Sequence, residues 1–154
     1  MGSNMQMKRI LVPVKGDIAD DEAIHLAYNI ARDSKETVYV LYVIEIPRNL
    51  PLDAEIPEET TKGEEVLLRM EEVAKAYKCT VEAEILQARD VGPAIVQEAI
   101  EREVHMIVIG VPHDTQFGSF SLGATVPYVL QHAPCRVLVW RGEAPANGVL
   151  GRII

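Results

Sequence analysis

The stretch VHMIVIG at 104–110, continued by VPHDTQFGSFSLGAT at 111–125, decides the fold of this chain. An unbroken apolar run that ends on a glycine is typical of a strand covered on both faces of a parallel sheet. The pattern of the next helix begins only near Thr125. The residues in between are equally compatible with a plain connection and with a loop that cradles a phosphate group.

Strand-like and helix-like patterns alternate along the whole chain. Strands are predicted at 8–14, 37–44, 79–87, 105–110 and 136–140, and helices from Asp20, from about Glu59 to Tyr77, from Asp90 and after Thr125. This order predicts a five-stranded parallel sheet with helices on both faces and right-handed crossovers. Residues 79–87 alternate in polarity, which predicts a half-exposed edge strand. The proline-interrupted segment 45–63 is predicted to be a surface excursion that runs into the second helix.

Length and composition narrow the possible functions. The chain has 154 residues, 48% of them apolar, and a net charge of −8, which indicates one globular domain and disfavours binding to nucleic acid. Cys79 and Cys135 are predicted to be buried, reduced thiols. No apolar run is long enough for a membrane span, so we expect a cytoplasmic protein. Residues 1–6 are predicted to be a tag or disordered start, and residues 142–154 are predicted to be a flexible tail.

The predicted sheet also indicates where a ligand would bind. Ligands of such sheets lie beyond the carboxyl ends of the strands, where the strand order reverses. Three loops meet there, after Val14, after Ile44 and after Gly110. At the far end of the last loop, the segment 123–125 offers free amides at a helix start, and Thr125 or Ser121 adds a hydroxyl.

Several segments together resemble a universal stress protein domain over 7–141: KRILVPV at 8–14, GPAIVQEA at 92–99, HMIVIG at 105–110 and YVLQHAPCRVLVW at 128–140. The resemblance implies an adenine nucleotide alpha hydrolase-like fold with strand order 3-2-1-4-5. It also implies a non-catalytic stress-response protein that binds ATP or AMP, with Mg²⁺ accompanying the nucleotide. A homodimer through the last strand, Arg136 to Trp140, is implied as well; an exposed apolar edge strand favours the same pairing.

The resemblance assigns nucleotide-binding positions in the loop that follows the fourth strand and begins at Gly110. Gly110 matches the first glycine of the family's phosphate-binding pattern, and Gly123 matches its third. His113 stands where the second glycine is expected. Ala124 replaces the hydroxyl residue that follows the third glycine, while Thr125 supplies a hydroxyl one step later.

The resemblance assigns further positions at the mouth of the predicted site, where the three loops meet at the carboxyl ends of the strands. Val14 ends the first strand, and Lys15 stands where the family typically has an aspartate that contacts the nucleoside. Asp17 lies two residues further on and is a substitute for that aspartate. Val43 matches the position whose backbone meets adenine. Independently of the resemblance, Arg89 lies just before the third helix, and we expect this cation to reach the same mouth.

The departures from the family pattern leave three alternatives open. Pro112 has no amide to offer, and the β-carbon of His113 restricts the approach of a phosphate. The chain therefore has a retuned nucleotide site, a site for a different small anion, or no ligand. In the last case His113 or Phe117 fills the mouth, and the protein is a dimeric interaction module, for which the resemblance implies a membrane transporter as partner.

Other chemistries find little support in the sequence. The patterns GxxxxGK[ST] and HExxH are absent, which disfavours a P-loop hydrolase and a zinc protease. For slow nucleotide hydrolysis, the candidate bases near the loop are Asp17, Asp114 and His113. His132 and Cys135 fit a helix end and turn better than a reactive thiolate pair. We therefore expect a binding protein rather than an enzyme.

Overall fold

A computed structural model of the protein describes residues 9–34, 36–113 and 122–143. Strands and helices alternate through these ranges as predicted. The strands are β1 Ile10–Val14, β2 Thr37–Glu45, β3 Thr80–Ala88, β4 Met106–Val111 and β5 Arg136–Arg141. The helices are α1 Ile18–Ser34, α2 Pro57–Tyr77, α3 Val91–Glu101 and α4 Thr125–His132. The start segment 1–6 and residues 144–154 of the predicted tail lie outside the described residues.

All pairings within the sheet are parallel, and the strand order is β3-β2-β1-β4-β5, which confirms the predicted topology. The chain moves outward through β2 and β3 on one side of β1 and through β4 and β5 on the other. The strand order therefore reverses between β1 and β4, the point at which open α/β sheets bind ligands.

The two central strands separate at this point. β1 pairs with β2 along its whole length, from Ile10–Val38 to Val14–Tyr42. Its ladder with β4 holds only the pairs Ile10–Met106 and Leu11–Ile107. Beyond Leu11 the two strands no longer pair, so their carboxyl ends leave room between them.

The two faces of the sheet bury separate apolar clusters. Side chains of β1, β2 and β4 alternate between the faces, as the period of a strand requires. One face, with Val12, Val40 and Val108, packs under α1 and α2. The other, with Leu11, Leu41 and Ile109, packs under α3 and α4. Burial on both faces explains why these strands are continuous apolar runs.

The edge strand β3 follows the alternation predicted from its sequence. Val81, Ala83 and Ile85 pack against the cluster under α2. The intervening Glu82 and Glu84 lie on the opposite face, where Arg102 approaches each carboxylate at 3.6 and 3.5 Å. The prediction of a half-exposed edge is confirmed.

Two helix starts and one burial prediction differ from the structure. α1 begins at Ile18 rather than Asp20, since Asp17 accepts the amide of Ala19 at 3.0 Å and so starts the helix earlier. α2 begins at Pro57 rather than Glu59, because proline is tolerated in a first turn. Cys79 and Cys135 are free, as predicted, but only half-buried.

Gly110 allows helix α1 to lie directly on strand β4. A β-carbon at this position would overlap the carbonyl oxygen of Ala19 and come within 3.1 Å of the β-carbon of Ala23. Both obstacles belong to the α1 backbone or to its shortest side chain, so neither can rotate away. The glycine is thus required for packing of α1, on the face opposite to α3.

We expect Gly110→Ala to lower the free energy of unfolding by about 2 kcal/mol, because overpacking against a fixed backbone forces the helix and strand apart. Urea unfolding followed by circular dichroism measures this change. Gly142→Ala is the matched control, since its new methyl would meet only the mobile end of Glu22. Equal stability of both variants would contradict the packing role of Gly110.

Candidate functional site

A cavity of about 320 Å³ opens between the carboxyl ends of β1 and β4. Strand ends, the start of α4 and one face of α3 contribute its walls. The described residues that line it are Pro13, Val14, Lys15, Asp20, Leu41, Val43, Val91, Ile95, Ile109, Gly110, Val111, Pro112, Leu122, Gly123, Ala124, Thr125 and Val126. The cavity therefore occupies the place that the strand order predicts for a ligand.

Most of the side chains that line the cavity are apolar. Leu41 and Val43 of β2 and Ile109 of β4 form the sheet side, while Val91 and Ile95 approach from α3. The polar side chains among the described lining residues are those of Lys15, Asp20 and Thr125. Apolar walls with a few directed polar groups are typical of sites for small organic molecules.

Asp20 organises the turn between β1 and α1. Its side chain is buried, with 2% of the residue exposed. One carboxylate oxygen accepts three successive backbone amides, from Lys15 at 3.0 Å, Gly16 at 2.6 Å and Asp17 at 3.1 Å. The backbone of residues 15–17 thus donates to a single oxygen atom, and these hydrogen bonds hold the first loop of the mouth in one conformation.

Opposing effects act on the pKa of Asp20. Burial raises the pKa, and the nearby charge of Asp17 adds to this increase, whereas the amides of Gly16, Lys15 and Asp17 lower it. The net result is a pKa raised from 3.8 to about 6. The sequence indicated only that Asp20 suits the positive end of a helix; its role in the turn was missed, although an acidic residue in the first helical turn is the signal.

Lys15 and Asp17 lie together at the rim. The ammonium of Lys15 is 3.6 Å from a carboxylate oxygen of Asp17, and its side chain is 71% exposed. Lys15 lines the cavity, but Asp17 is not among the lining residues. The structure thus brings the cation to the mouth and uses Asp17 to start α1 and to pair with Lys15.

The start of α4 supplies hydrogen-bond donors on the other side of the mouth. Gly123 has φ +70, a conformation that favours glycine, and nothing lies within 4 Å of a β-carbon placed there. Ala124 offers no side-chain cap. The first backbone bond within α4 runs from Tyr128 to Ala124, so the amides of Thr125 and Val126 have no acceptor within their helix.

Arg89 is not brought into the cavity. Its guanidinium donates to the carbonyl oxygens of Pro47 at 2.6 Å, Leu50 at 2.8 Å and Ile46 at 3.4 Å. It fastens the excursion between β2 and α2 instead of facing the mouth. His113 is half-buried and does not line the cavity, while Asp114, Phe117 and Ser121 lie outside the described residues.

A second groove continues the cavity toward solvent. It has a volume of about 440 Å³ and shares Val91, Ala124 and Thr125 with the inner cavity. Its other lining residues are Glu45, Asp90, Gly92, Pro93 and Tyr128. Two carboxylates therefore stand at the outer end of the mouth, a feature that the sequence did not reveal because Glu45 ends β2 whereas Asp90 precedes α3.

Comparison with known proteins shows the family. The model of the universal stress protein family matches residues 7–141. This chain belongs to the universal stress protein family. A universal stress protein of Methanocaldococcus jannaschii is 29% identical over 144 residues, which cover 90% of this chain and 84% of that relative.

Solved structures of universal stress proteins share the fold. One from Archaeoglobus fulgidus, in complex with dAMP, has a TM-score of 0.68 and 20% identity, with 88% of this chain and 98% of that chain covered. One from Arabidopsis thaliana, with AMP bound, has a TM-score of 0.67 and 18% identity, with 92% of this chain and 98% of that chain covered.

Two further observations concern the described part of this universal stress protein. Its histidine, cysteine and carboxylate side chains form no group of three or more that could hold a metal ion. None of its helices combines the length and the apolar character that crossing a membrane requires.

We expect the free energy of unfolding to fall by about 2 kcal/mol between pH 4 and pH 7 through Asp20 alone. Its folded-state pKa of about 6 lies above the ordinary value of 3.8, so the native state binds more protons in this window and rising pH favours unfolding. Asp20→Asn should lack this component, which urea unfolding of both proteins across the pH range measures.

Carbon-13 NMR of the Asp20 carboxyl group gives an independent measurement. A titration midpoint near 6 is expected. A midpoint below 3.8 would show that the three amide donors outweigh burial, and the pH dependence would then have the opposite sign.

Proposed function

We propose that this protein is a non-catalytic regulator of the stress response that binds an adenine nucleotide in the cavity between β1 and β4. The observation that carries the proposal is the position of an apolar cavity at the reversal of strand order, with helix amides and Lys15 at its rim. Family members solved with AMP and dAMP support the choice of an adenine nucleotide.

The inner cavity suits a flat, largely apolar ring. Val43 and Leu41 present the end of β2, and Val91 and Ile95 cover the opposite side. A purine between these walls would remove apolar surface from water on both of its faces. Backbone groups at the end of β2 are then available to hydrogen-bond the edge of the ring.

The rim suits a phosphate group. The unpaired first-turn amides of Thr125 and Val126 combine with the positive end of the α4 dipole. Lys15 adds a point charge from the first loop. In this proposal Gly123 shapes the approach to the helix, and Thr125 contributes its hydroxyl.

Asp17 and Asp20, the two carboxylates at the first loop, already have structural partners, and this favours binding over catalysis. Asp20 accepts three amides of the first loop, and Asp17 pairs with Lys15 and the amide of Ala19. A general base must be within reach of a water molecule in the right position, and these hydrogen bonds hold both carboxylates in other roles. Mg²⁺, where present, would arrive with the nucleotide.

We also propose a cytoplasmic homodimer whose partner proteins read the bound state. β5 is an edge strand, and its side chains are exposed or half-buried. An edge strand with apolar side chains is stabilised by pairing with its own copy about a two-fold axis. Nucleotide binding would influence a partner only through different affinities for the bound and free forms.

We expect Ala124→Trp to abolish nucleotide binding, because an indole at this exposed position would block the opening shared by the cavity and the outer groove. Equilibrium dialysis with radiolabelled AMP and ATP measures the loss. Ala76→Trp is the control, an equal enlargement at an exposed site near the end of α2. Unchanged nucleotide binding in Ala124→Trp would exclude this cavity as the binding site. If the wild type bound no nucleotide up to millimolar concentration, the alternative of a ligand-free interaction module would be favoured.

We expect the wild type to sediment with twice the mass of one chain and Leu138→Lys to sediment as a folded monomer. Leu138 is the middle residue of the predicted dimer strand, so two lysines would face each other across the two-fold axis. Analytical ultracentrifugation gives the masses, and circular dichroism checks the fold. Leu68→Lys, at a leucine that is 61% exposed on α2, should remain dimeric. A dimeric Leu138→Lys would place the interface elsewhere.

A further inference from the structure

The outer groove offers space for a further part of the ligand. Its volume is about 440 Å³, compared with about 320 Å³ for the inner cavity. The two spaces share Val91, Ala124 and Thr125, so a ligand can extend from one into the other along the surface of the protein. An adenosine group in the inner cavity, as proposed, leaves the outer groove available for a second group of similar size.

Two helices begin at the boundary between the inner cavity and the outer groove. The first backbone bond of α3 runs from the amide of Ala94 to the carbonyl oxygen of Asp90, and the side chain of Asp90 makes no cap. The amides of Val91 and Gly92 therefore have no acceptor within their helix. The start of α4 contributes two such amides as well. Since each helix start favours an anion, the boundary suits two linked phosphate groups.

Gly92 brings the two helix starts together. A β-carbon at this position would come within 2.9 Å of the ring of Tyr128, so the missing side chain lets α4 pack directly on α3. Tyr128 lines the outer groove, and its ring also contacts that of His132, with 4.3 Å between the ring centroids. One wall of the outer groove is therefore an aromatic ring whose position is fixed by Gly92 and His132.

The two carboxylates of the outer groove are able to accept hydrogen bonds from a ligand. Glu45 is exposed at the end of β2 and has no hydrogen-bond or ion-pair partner among the described residues. Asp90 accepts from Arg48 at 3.3 Å on one oxygen, Oδ2, which leaves its other oxygen available. Carboxylate oxygens are acceptors only, so they match a group rich in hydroxyl donors, such as a ribose.

We infer that the mouth binds an adenine dinucleotide, with its pyrophosphate between the starts of α3 and α4 and its second nucleoside in the outer groove. The inference rests on the proposed function and specifies its ligand class. The hydroxyl groups of the second ribose donate to Glu45 and Asp90, and the second ring lies against Pro93 and Tyr128. A carboxylate that hydrogen-bonds ribose hydroxyls is a recurrent feature of doubly wound sheets that bind dinucleotides.

The charge of the outer groove agrees with this ligand class. Glu45 and Asp90 are the charged residues among the described lining of the groove, and Arg48 compensates Asp90 in part. A negative groove favours a neutral or positively charged group at the far end of the ligand. The second nucleoside of ADP-ribose or NAD⁺ meets this condition, since the added ribose is neutral and the nicotinamide ring of NAD⁺ is a cation.

Isothermal titration calorimetry with AMP, ADP, ADP-ribose and NAD⁺ tests the inference. We expect ADP-ribose and NAD⁺ to bind at least about tenfold more tightly than ADP, which carries the same adenosine and pyrophosphate without the second ribose. If neither larger ligand bound more tightly than ADP, the inference would be overturned and the proposed function would remain intact. Absence of binding by all four compounds would overturn both.

Pro93→Trp separates the outer groove from the inner cavity, because Pro93 is exposed in the first turn of α3 and lines only the groove. This variant should lower the affinity for NAD⁺ to that for ADP and leave the affinity for ADP unchanged. Pro57→Trp is the matched control, the same change at an exposed proline in the first turn of α2, and it should keep the preference for NAD⁺. A preference lost in both variants, or retained in both, would contradict binding in the groove.

A second pair of variants tests the contact with the ribose. Glu45→Ala removes one carboxylate from the groove and should weaken ADP-ribose binding about tenfold without weakening ADP binding. Glu36→Ala removes the same charge just before β2, at the opposite end of that strand, and should leave both affinities unchanged. Circular dichroism checks that both variants are folded. An equal effect of the two variants on ADP-ribose would overturn the placement of the second ribose beside Glu45.

Discussion

The separation of β1 from β4 beyond Leu11 is the constraint on which the functional site depends. Two strands that paired along their full length would leave no space between their carboxyl ends. Helix α1 helps to define this space, because its backbone at Ala19 lies against Gly110 on the α1 face of β4. The same contact leaves the α3 face of the strand ends open. A glycine that resembles a ligand-binding residue thus acts first through packing.

Asp20 connects this packing to the mouth, since it follows Ala19 on α1 and holds the amides of 15–17 on one oxygen. The position of α1 on the sheet therefore also sets the position of Lys15. Burial of the carboxyl group raises its pKa to about 6, above the ordinary value of 3.8. The same carboxyl group thus holds the backbone of the first loop, and the amides of that loop in turn influence its pKa.

Within the universal stress protein family, the nucleotide site that we propose for this chain has an altered set of polar groups. The apolar walls and the start of α4 are in place. Lys15 occupies a position where an aspartate is expected from the resemblance, and Arg89 holds the excursion instead of a ligand. The charged residues among the described lining of the cavity and the outer groove are Lys15, Asp20, Glu45 and Asp90.

The sequence by itself determined the five parallel strands, their helices and the order 3-2-1-4-5, because apolar runs, helical spacing and the family resemblance all report local or topological constraints. It also placed Val14, Lys15, Val43, Gly110, Gly123, Ala124 and Thr125 at the mouth, where the structure has them. Only the tertiary structure decided the partners of Arg89 and Asp20 and the presence of Glu45 and Asp90 in one groove. These depend on contacts between residues far apart in the chain, which the pattern of one segment does not contain.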